Sequence, residues 1–438
     1  MRSQSLESAT ARASLSGANS CSSTGSTIAT PLLRSGRVDD ALLGIRRCPQ
    51  TRFQVIWIAV DGFATASHAL VERQTINLAE CFASDYQQAR LKFREAAQIA
   101  GGSLQELLNP NLDPSGGRLF TDVAWFGPAN ASSVLVLISG THGVEGFCGS
   151  GAQIHWMKSG DVATLPKDTA ALLIHAINPY GFAWLRRVTE ENVDLNRNWI
   201  DFEQPVPQNL GYEQIRDALC PSDWSADGQA KAGEGIGRAI GQLGVAGFVA
   251  AATSGQYSDP DGIFYGGAAP TWARQTQTQI FEQYLGQARD VAIIDFHTGL
   301  GPYGHGEQIA PTRRDDPAFL RARSWYGAAV TSMADGDSAS PPLEGDGTVA
   351  AIALLSKATV TPIALEFGTV PGQQVLSALR ADNWLHRWGD PQGAEAAAIK
   401  AAIRAAFYID ADDWRGMVAG QSLMACRQAL AGLATGSS

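Results

Sequence analysis

The chain predicts an α/β protein of three layers, α/β/α, in which a mixed, mostly parallel sheet lies between helices, and three observations carry that expectation. Short continuous apolar runs, the pattern of strands buried on both faces, occur at residues 133–139, 170–177, 291–296 and 361–367. Segments with apolar residues at helical spacing separate them, the alternation expected of a sheet covered on both sides. The third observation is chemical. Four segments end strand-like runs on residues that bind or serve a metal ion: Ser139-Gly140-Thr141-His142-Gly143-Val144-Glu145-Gly146, Asn192-Val193-Asp194-Leu195-Asn196-Arg197-Asn198-Trp199, Asp295-Phe296-His297-Thr298-Gly299 and Ala364-Leu365-Glu366-Phe367-Gly368.

In chain order, residues 1–80 read as an extension outside the domain. The first fifty are rich in Ser, Ala, Thr and Gly with no apolar period, the composition of a disordered segment. Val55-Ile56-Trp57-Ile58-Ala59-Val60 follows Arg46 and Arg47 and invites a signal-peptide reading. It is short, interrupted by Asp61 and far from the N-terminus, which argues against one. No methionine occurs between Met1 and Met157, so a natural start at a non-ATG codon within 71–81 is a further expectation, checked by N-terminal sequencing of the native protein. Domain-like sequence begins near residue 82. A helix is expected over 85–100, with Leu91, Phe93, Ala96 and Ala97 among its apolar positions, and others over 146–158, 229–252, 271–288, 316–334, 373–388 and 392–407. In the 316–334 segment Phe319, Ala322, Tyr326, Ala329 and Met333 form one stripe; Ala396, Ile399, Ile403 and Phe407 do so in the last. No repeat or linker interrupts residues 82–410, which read as a single catalytic domain, with 411–438 packing on it or trailing it.

Composition excludes several classes. With 438 residues, 45% apolar and 17% charged, the chain is long and apolar enough for a real core. A net charge of -10 and the lack of a basic stripe argue against nucleic acid as a partner. No apolar stretch looks close to the ~20 residues that span a bilayer, so no membrane association is expected. Cys21, Cys48, Cys81, Cys148, Cys220 and Cys426 are scattered without a C-x-x-C pair, which suits free buried thiols in a reducing, cytoplasmic compartment.

The site candidates follow from residue type and position. His142 and Glu145 stand three apart between a strand and a probable helix, where two side chains can converge; alone, the pair also fits a loop histidine beside an unrelated glutamate. His297 closes a buried run, at the strand end where open α/β sheets bind ligands. Two histidines and a glutamate leave one zinc position open, the catalytic rather than the structural pattern. Such an ion polarises a carbonyl and lowers the pKa of a water to ~7. Glu366, ending another apolar run, is placed to act as the general base. Arg197 offers a planar fork for a carboxylate and Asn196 a directed donor, while Asp194 could hold the far nitrogen of His142. Arg186 or Arg187 could steady an oxyanion, or the two could be a solvated surface pair. His175, inside a strand-like run, reads as structural; His68, His155 and His386 lack comparable partners, and His305 lies in a Gly-rich loop within reach of a pocket.

These residues resemble the zinc carboxypeptidase superfamily of the carboxypeptidase A type, and within it a bacterial branch carried as a domain of unknown function, over roughly residues 82–410. The resemblance implies a sheet of about eight strands and one zinc ion per chain held by His142, Glu145 and His297. It further implies Asp194 as support for the first histidine, Asn196 and Arg197 for the substrate carboxylate, Glu366 as general acid/base and Arg187 as the oxyanion arginine. Two departures stand out. Residues 341–347, where the family carries a substrate-capping tyrosine, contain none, leaving Tyr257 or Tyr265 as substitutes. Gly-Thr-His-Gly-Val-Glu is also closer to the aspartoacylase and succinylglutamate-desuccinylase branch. The expected activity is therefore cleavage of an amide next to a free carboxylate, on a small peptide, with a deacylase of N-acyl amino acids and a non-catalytic carboxylate-binding module as alternatives.

Overall fold

The computed structural model describes residues 76–435. The readings made of residues 1–75, including the run at 55–60, Cys21 and Cys48, lie outside the described residues. The strands are β1 (Ser103–Leu112), β2 (Arg118–Phe126), β3 (Ser133–Ile138), β4 (Thr169–His175), β5 (Asp290–Tyr303), β6 (Gly306–Ala310), β7 (Thr331–Ser332) and β8 (Thr359–Gly368). They form one eight-stranded sheet in the order β1-β2-β4-β3-β5-β8-β6-β7. The central β4-β3-β5-β8 block is parallel throughout. Antiparallel pairings add β2 and β1 on one side and β6 on the other, and β7 pairs parallel with β6. The sheet is mixed and mostly parallel, as the alternation predicts.

Helices α1 (Leu78–Cys81), α2 (Tyr86–Ile99), α3 (Gly146–Lys158), α4 (Pro179–Ala183), α5 (Leu210–Leu219), α6 (Ala226–Thr253), α7 (Trp272–Leu285), α8 (Pro317–Tyr326), α9 (Gly347–Leu354), α10 (Gly372–Arg387), α11 (Ala396–Phe407) and α12 (Asp412–Thr435) complete the described chain. Every residue of β3 and β4 is buried, and side-chain alternation shares them between two cores. Leu135 and Leu137 pack with α2, α3, α8 and α12 on one face. Val134, Val136 and Ile138 pack with α7 and α9 on the other. A third apolar cluster joins α5, α6, α10 and α11. Leu91, one of the apolar positions of this helix, lies on the solvent side of α2.

Two expectations need correction. The 316–334 segment is not one helix: α8 stops at Gly327, whose φ of 102° is a left-handed value that costs other residues strain. Phe319, Ala322 and Tyr326 are buried on α8, but Ala329 is exposed and Met333 follows β7, so the spacing continued beyond the break by coincidence. The absence of any stretch of membrane-spanning length is also overturned, because α6 is long and apolar enough by length and composition alone. Its charges Asp227, Lys231, Glu234 and Arg238 sit in the first half, and Ala, Gly and Val dominate the rest. It is kinked at Gly244. Segment 411–438 contributes α12, whose Trp414 is buried and donates from Nε1 to the Gly368 carbonyl at 2.9 Å.

Candidate metal centre

The turn after β3 places the first pair. His142 precedes the short 3-10 turn Gly143–Glu145, which runs directly into α3. That turn lies against the chain at Gly181: a Cβ at Gly143 would stand 2.0 Å from the Gly181 carbonyl carbon, so only glycine fits. Gly143 N donates to the Arg187 carbonyl (3.1 Å) and Val144 N to that of Arg186 (2.8 Å), which ties both arginines to the turn. His297 on β5 pairs in register with Glu366 on β8. All these groups stand near where the in-register parallel pairing of three adjacent strands, β3, β5 and β8, ends, with the chain leaving β3 for α3 and β4 on the opposite side from β5.

His142, Glu145 and His297 meet. Their ligand atoms lie within 4.8 Å of one another and all three residues are buried. Glu145 Oε1 is 2.9 Å from His142 Nδ1, its Oε2 is 3.0 Å from His297 Nδ1, and the two Nδ1 atoms are 3.2 Å apart. Each ring is held from behind by its own carboxylate: His142 Nε2 contacts Asp194 Oδ1 at 3.2 Å and His297 Nε2 contacts Asp295 Oδ2 at 2.9 Å. Thr141 Oγ1 donates to Asp295 at 2.8 Å and Thr298 N to Glu145 at 3.1 Å. Arg187 closes the group, with Nε 2.9 Å from Asp194 Oδ2 and Nη1 3.2 Å from Glu145 Oε1. Glu366 accepts from Leu300 N at 3.0 Å.

The electrostatics suit a cation. Burial would raise Glu145, but the imidazoles of His142 and His297 outweigh it and hold the carboxyl well below the usual range. Burial opposes a charge on His297, yet Asp295 and Glu145 keep the imidazolium well above its ordinary value. Burial also works against ionised Asp194, and Arg187, Arg197 and His142 more than offset it. Glu366 goes the other way: burial first, then the Glu145 charge, push it up to about 8. Two imidazole nitrogens pointing at each other across a shared carboxylate, each ring backed by a second carboxylate, form a donor set that fits zinc.

Asn196 and Arg197 line the same cleft, which has room for about 270 Å³. Arg197 is buried; its Nε donates to the Thr253 carbonyl at 3.2 Å and its Nη1 to the Asn196 carbonyl at 3.0 Å, with Nη2 also on Thr253. One hydrogen each on Nη1 and Nη2 has no hydrogen-bond acceptor among the described residues, with Asp194 Oδ1 4.0 Å from Nη1. Asn196 Oδ1 accepts from Gly347 N at 3.3 Å, and its Nδ2 has no partner among the described residues. Arg186 lies apart from the cluster, its Nε 3.0 Å from Asp382, so of the two arginines only Arg187 stands beside the paired histidines. His175 is also distant, stacked on Phe93 and 2.9 Å from Ser150 Oγ. His305 is not among the residues lining the cleft. Nor is either substitute tyrosine: the Tyr257 hydroxyl donates to the Arg197 carbonyl at 2.6 Å, and Tyr265 is packed under the Asp194 backbone, its carbonyl accepting from Asp194 N.

Asp295 is the residue that sequence reasoning missed. Its signal was present, because positions i and i+2 on a strand face the same side, and Asp295 and His297 do so near the end of the part of β5 that pairs in register with β8. Within an apolar strand it read only as part of the run.

A family model described as a protein of unknown function (DUF2817) matches residues 82–421. No curated protein matches the chain. Among solved structures, carboxypeptidase A from Helicoverpa armigera is similar at 13% identity with a TM-score of 0.40, covering 76% of each chain. Succinylglutamate desuccinylase from Chromobacterium violaceum is similar at 13% identity and a TM-score of 0.32, covering 72% of each. The murein-tripeptide amidase of Escherichia coli O157 is similar at 13% identity and a TM-score of 0.30, over 70% of this chain and 94% of that one. Likenesses at this level leave the function to be read from the chain's own residues.

Proposed function

The chain belongs to the family described as a protein of unknown function (DUF2817), and from the geometry of its site we propose that it is a zinc-dependent hydrolase of amide bonds next to a free carboxylate, in the manner of a metallocarboxypeptidase. The observation that carries this is the meeting of His142, Glu145 and His297 beside Glu366 in one cleft. Those three residues would hold one zinc ion, which supplies Lewis-acid polarisation of the scissile carbonyl and makes water nucleophilic near neutral pH. Glu366 takes the proton of the attacking water and hands it to the leaving amine. A carboxyl held near 8 in a buried site is suited to carry that proton, and the nearby cation favours its release. Arg187 steadies the charge that develops on the carbonyl oxygen. The two remaining Arg197 hydrogens and Asn196 Nδ2 receive the substrate carboxylate. Asp194 fixes the His142 ring.

A second reading, deacylation of N-acyl amino acids, uses the same groups. It is favoured by the lack of any tyrosine among the cleft-lining residues and by the mostly apolar character of its walls. A cytoplasmic location belongs to the same reading, supported by the free, buried Cys81, Cys148, Cys220 and Cys426. The test is turnover on blocked dipeptides and on N-acyl amino acids by zinc-loaded protein, with Glu366→Gln alongside. The proposal expects turnover that the substitution abolishes while zinc stays bound. Equal turnover in the variant contradicts the assigned role of Glu366, and carboxylate binding without turnover in either protein points to the non-catalytic module.

A further inference from the structure

The cleft has one wall that the reaction does not require. The second half of α6 contributes Phe248, Val249 and Ala252 to it, facing Val375, Leu376 and Leu379 of α10. Along α6, residues 245, 249 and 252 follow one another at i+4 and i+3 and so lie on one stripe. Their exposure falls from 67% at Val245 to 39% at Val249 and 1% at Ala252, so the stripe runs from solvent into the cleft. Leu243 is exposed beside it. Only 22% of the most apolar window of α6 is buried, so core packing does not account for its composition. An apolar strip of this kind, continuous with a site, marks where an apolar ligand lies.

We propose, resting on the hydrolase reading above, that the substrate is an N-acyl amino acid with a medium or long aliphatic acyl chain, and that the chain lies along α6 from Ala252 out to Val245. The head-group carboxylate sits at Asn196 and Arg197, beside the carbonyl of Thr253 at the end of the same helix. Water adds to the acyl carbon, the C–N bond breaks, and the water proton passes to the amine, giving a fatty carboxylate and a free amino acid. The seven steps from residue 245 to residue 252 rise about 10 Å, the length of an extended chain of roughly eight carbons.

The experiment compares acetyl-, butanoyl-, octanoyl- and dodecanoyl-glycine as substrates of the zinc-loaded protein and of its Val245→Asp variant, with dodecanoylglycine binding to the Glu366→Gln protein followed by calorimetry. Glycine adds no side chain, so only the acyl length varies. Expected is a rise in kcat/KM of at least about 30-fold from acetyl to octanoyl, levelling off beyond it, as burial of each methylene adds affinity. Val245 is exposed, so its replacement should leave the fold intact and shrink that ratio at least about 5-fold. Turnover that is equal at every acyl length overturns the inference and leaves the hydrolase reading standing. A length dependence that Val245→Asp does not alter overturns the path along α6. No turnover at any length, with dodecanoylglycine still bound and that binding weakened by Val245→Asp, supports the apolar path and overturns the hydrolase reading. Flat length dependence together with vesicle binding or dimerisation lost in Val245→Asp assigns the strip to a membrane or a second copy and overturns the inference.

Discussion

Arg186 and Arg187 are neighbours in sequence, and each enters a buried cluster of charges, but the two clusters are finished differently. On the Arg186 side, Asp382 receives Arg186 Nε at 3.0 Å on one oxygen and Lys400 Nζ at 2.5 Å on the other, and Lys400 also meets His386 Nε2 at 2.7 Å. Burial and the Arg186 charge keep His386 down to about 3, hence neutral, and the carboxylate is fully used. This cluster joins α10 and α11 to the loop that carries the arginines, and the pocket beside Arg186 and Asp382 has room for only about 20 Å³. On the Arg187 side, Glu145, Asp194 and Asp295 surround two imidazoles whose Nδ1 atoms point at each other, and the group opens into a cleft that the buried Glu366 also lines. The first cluster pairs its charges with one another, whereas the second, with converging lone pairs and an open cleft, holds a place for something else.

The comparison can be broken at either end. The largest effect is expected for Glu366→Gln, which should cut kcat by about 10³-fold, within the range for loss of general acid/base chemistry, while zinc content measured by atomic emission stays near that of the wild type. Asp382→Ala should show the opposite pattern. It leaves the Arg186 and Lys400 charges buried without a counter-charge and should cost about 3–5 kcal/mol of unfolding free energy in urea, with zinc stoichiometry at low temperature unchanged. A loss of zinc without a loss of stability would reverse the two assignments.

Asp295→Asn sharpens the site itself. The side chain keeps its shape but loses the charge behind His297, so zinc affinity should fall about 10–100-fold in a chelator competition, and an unchanged affinity would make Asp295 a bystander. The smallest effect concerns His175, a histidine outside both clusters. Burial depresses it to about 3 from an ordinary 6.5, so below pH 6.5 the unfolded chain takes up a proton that the folded one refuses. Stability is therefore lost as pH falls from 6.5 toward 3. In metal-free protein the loss between pH 7.5 and pH 5 should be about 2 kcal/mol smaller in His175→Gln than in the wild type, whatever the substitution does to absolute stability. Parallel pH profiles would remove the histidine from the account.

The legible part of the fold was its centre. Continuous apolar runs announce β3, β4, β5 and β8 because strands covered on both faces carry no polar residues, and the metal-binding residue types stand out by ending those runs. The sheet edges were not legible. β1 contains Gln105, Glu106, Asn109 and Pro110 and is largely exposed, so neither alternation nor an apolar run marks it. β7 has two residues, too few for any period. Helix α12 hid its nature in another way, since Ala and Gly on a helix packed against several neighbours give no single apolar stripe. At the site, residue type and strand position were enough to nominate His142, Glu145, His297 and Glu366, whereas the strand expected before Asp194 is not there: Asp194 caps the 3-10 turn Leu195–Arg197, in the stretch between β4 and β5. The choice between Arg186 and Arg187 needed three dimensions, as did the finding that Tyr257 spends its hydroxyl on the Arg197 carbonyl.

The most direct measurement is zinc content of the purified protein together with X-ray absorption at the zinc edge, for the wild type and for His297→Ala. About one zinc per chain with two imidazole nitrogens and carboxylate oxygen around it, lost or left with one imidazole in the variant, is the result expected of ligands at 142, 145 and 297. Zinc-free protein that cannot be loaded, or an ion whose surroundings His297→Ala leaves unchanged, would contradict it.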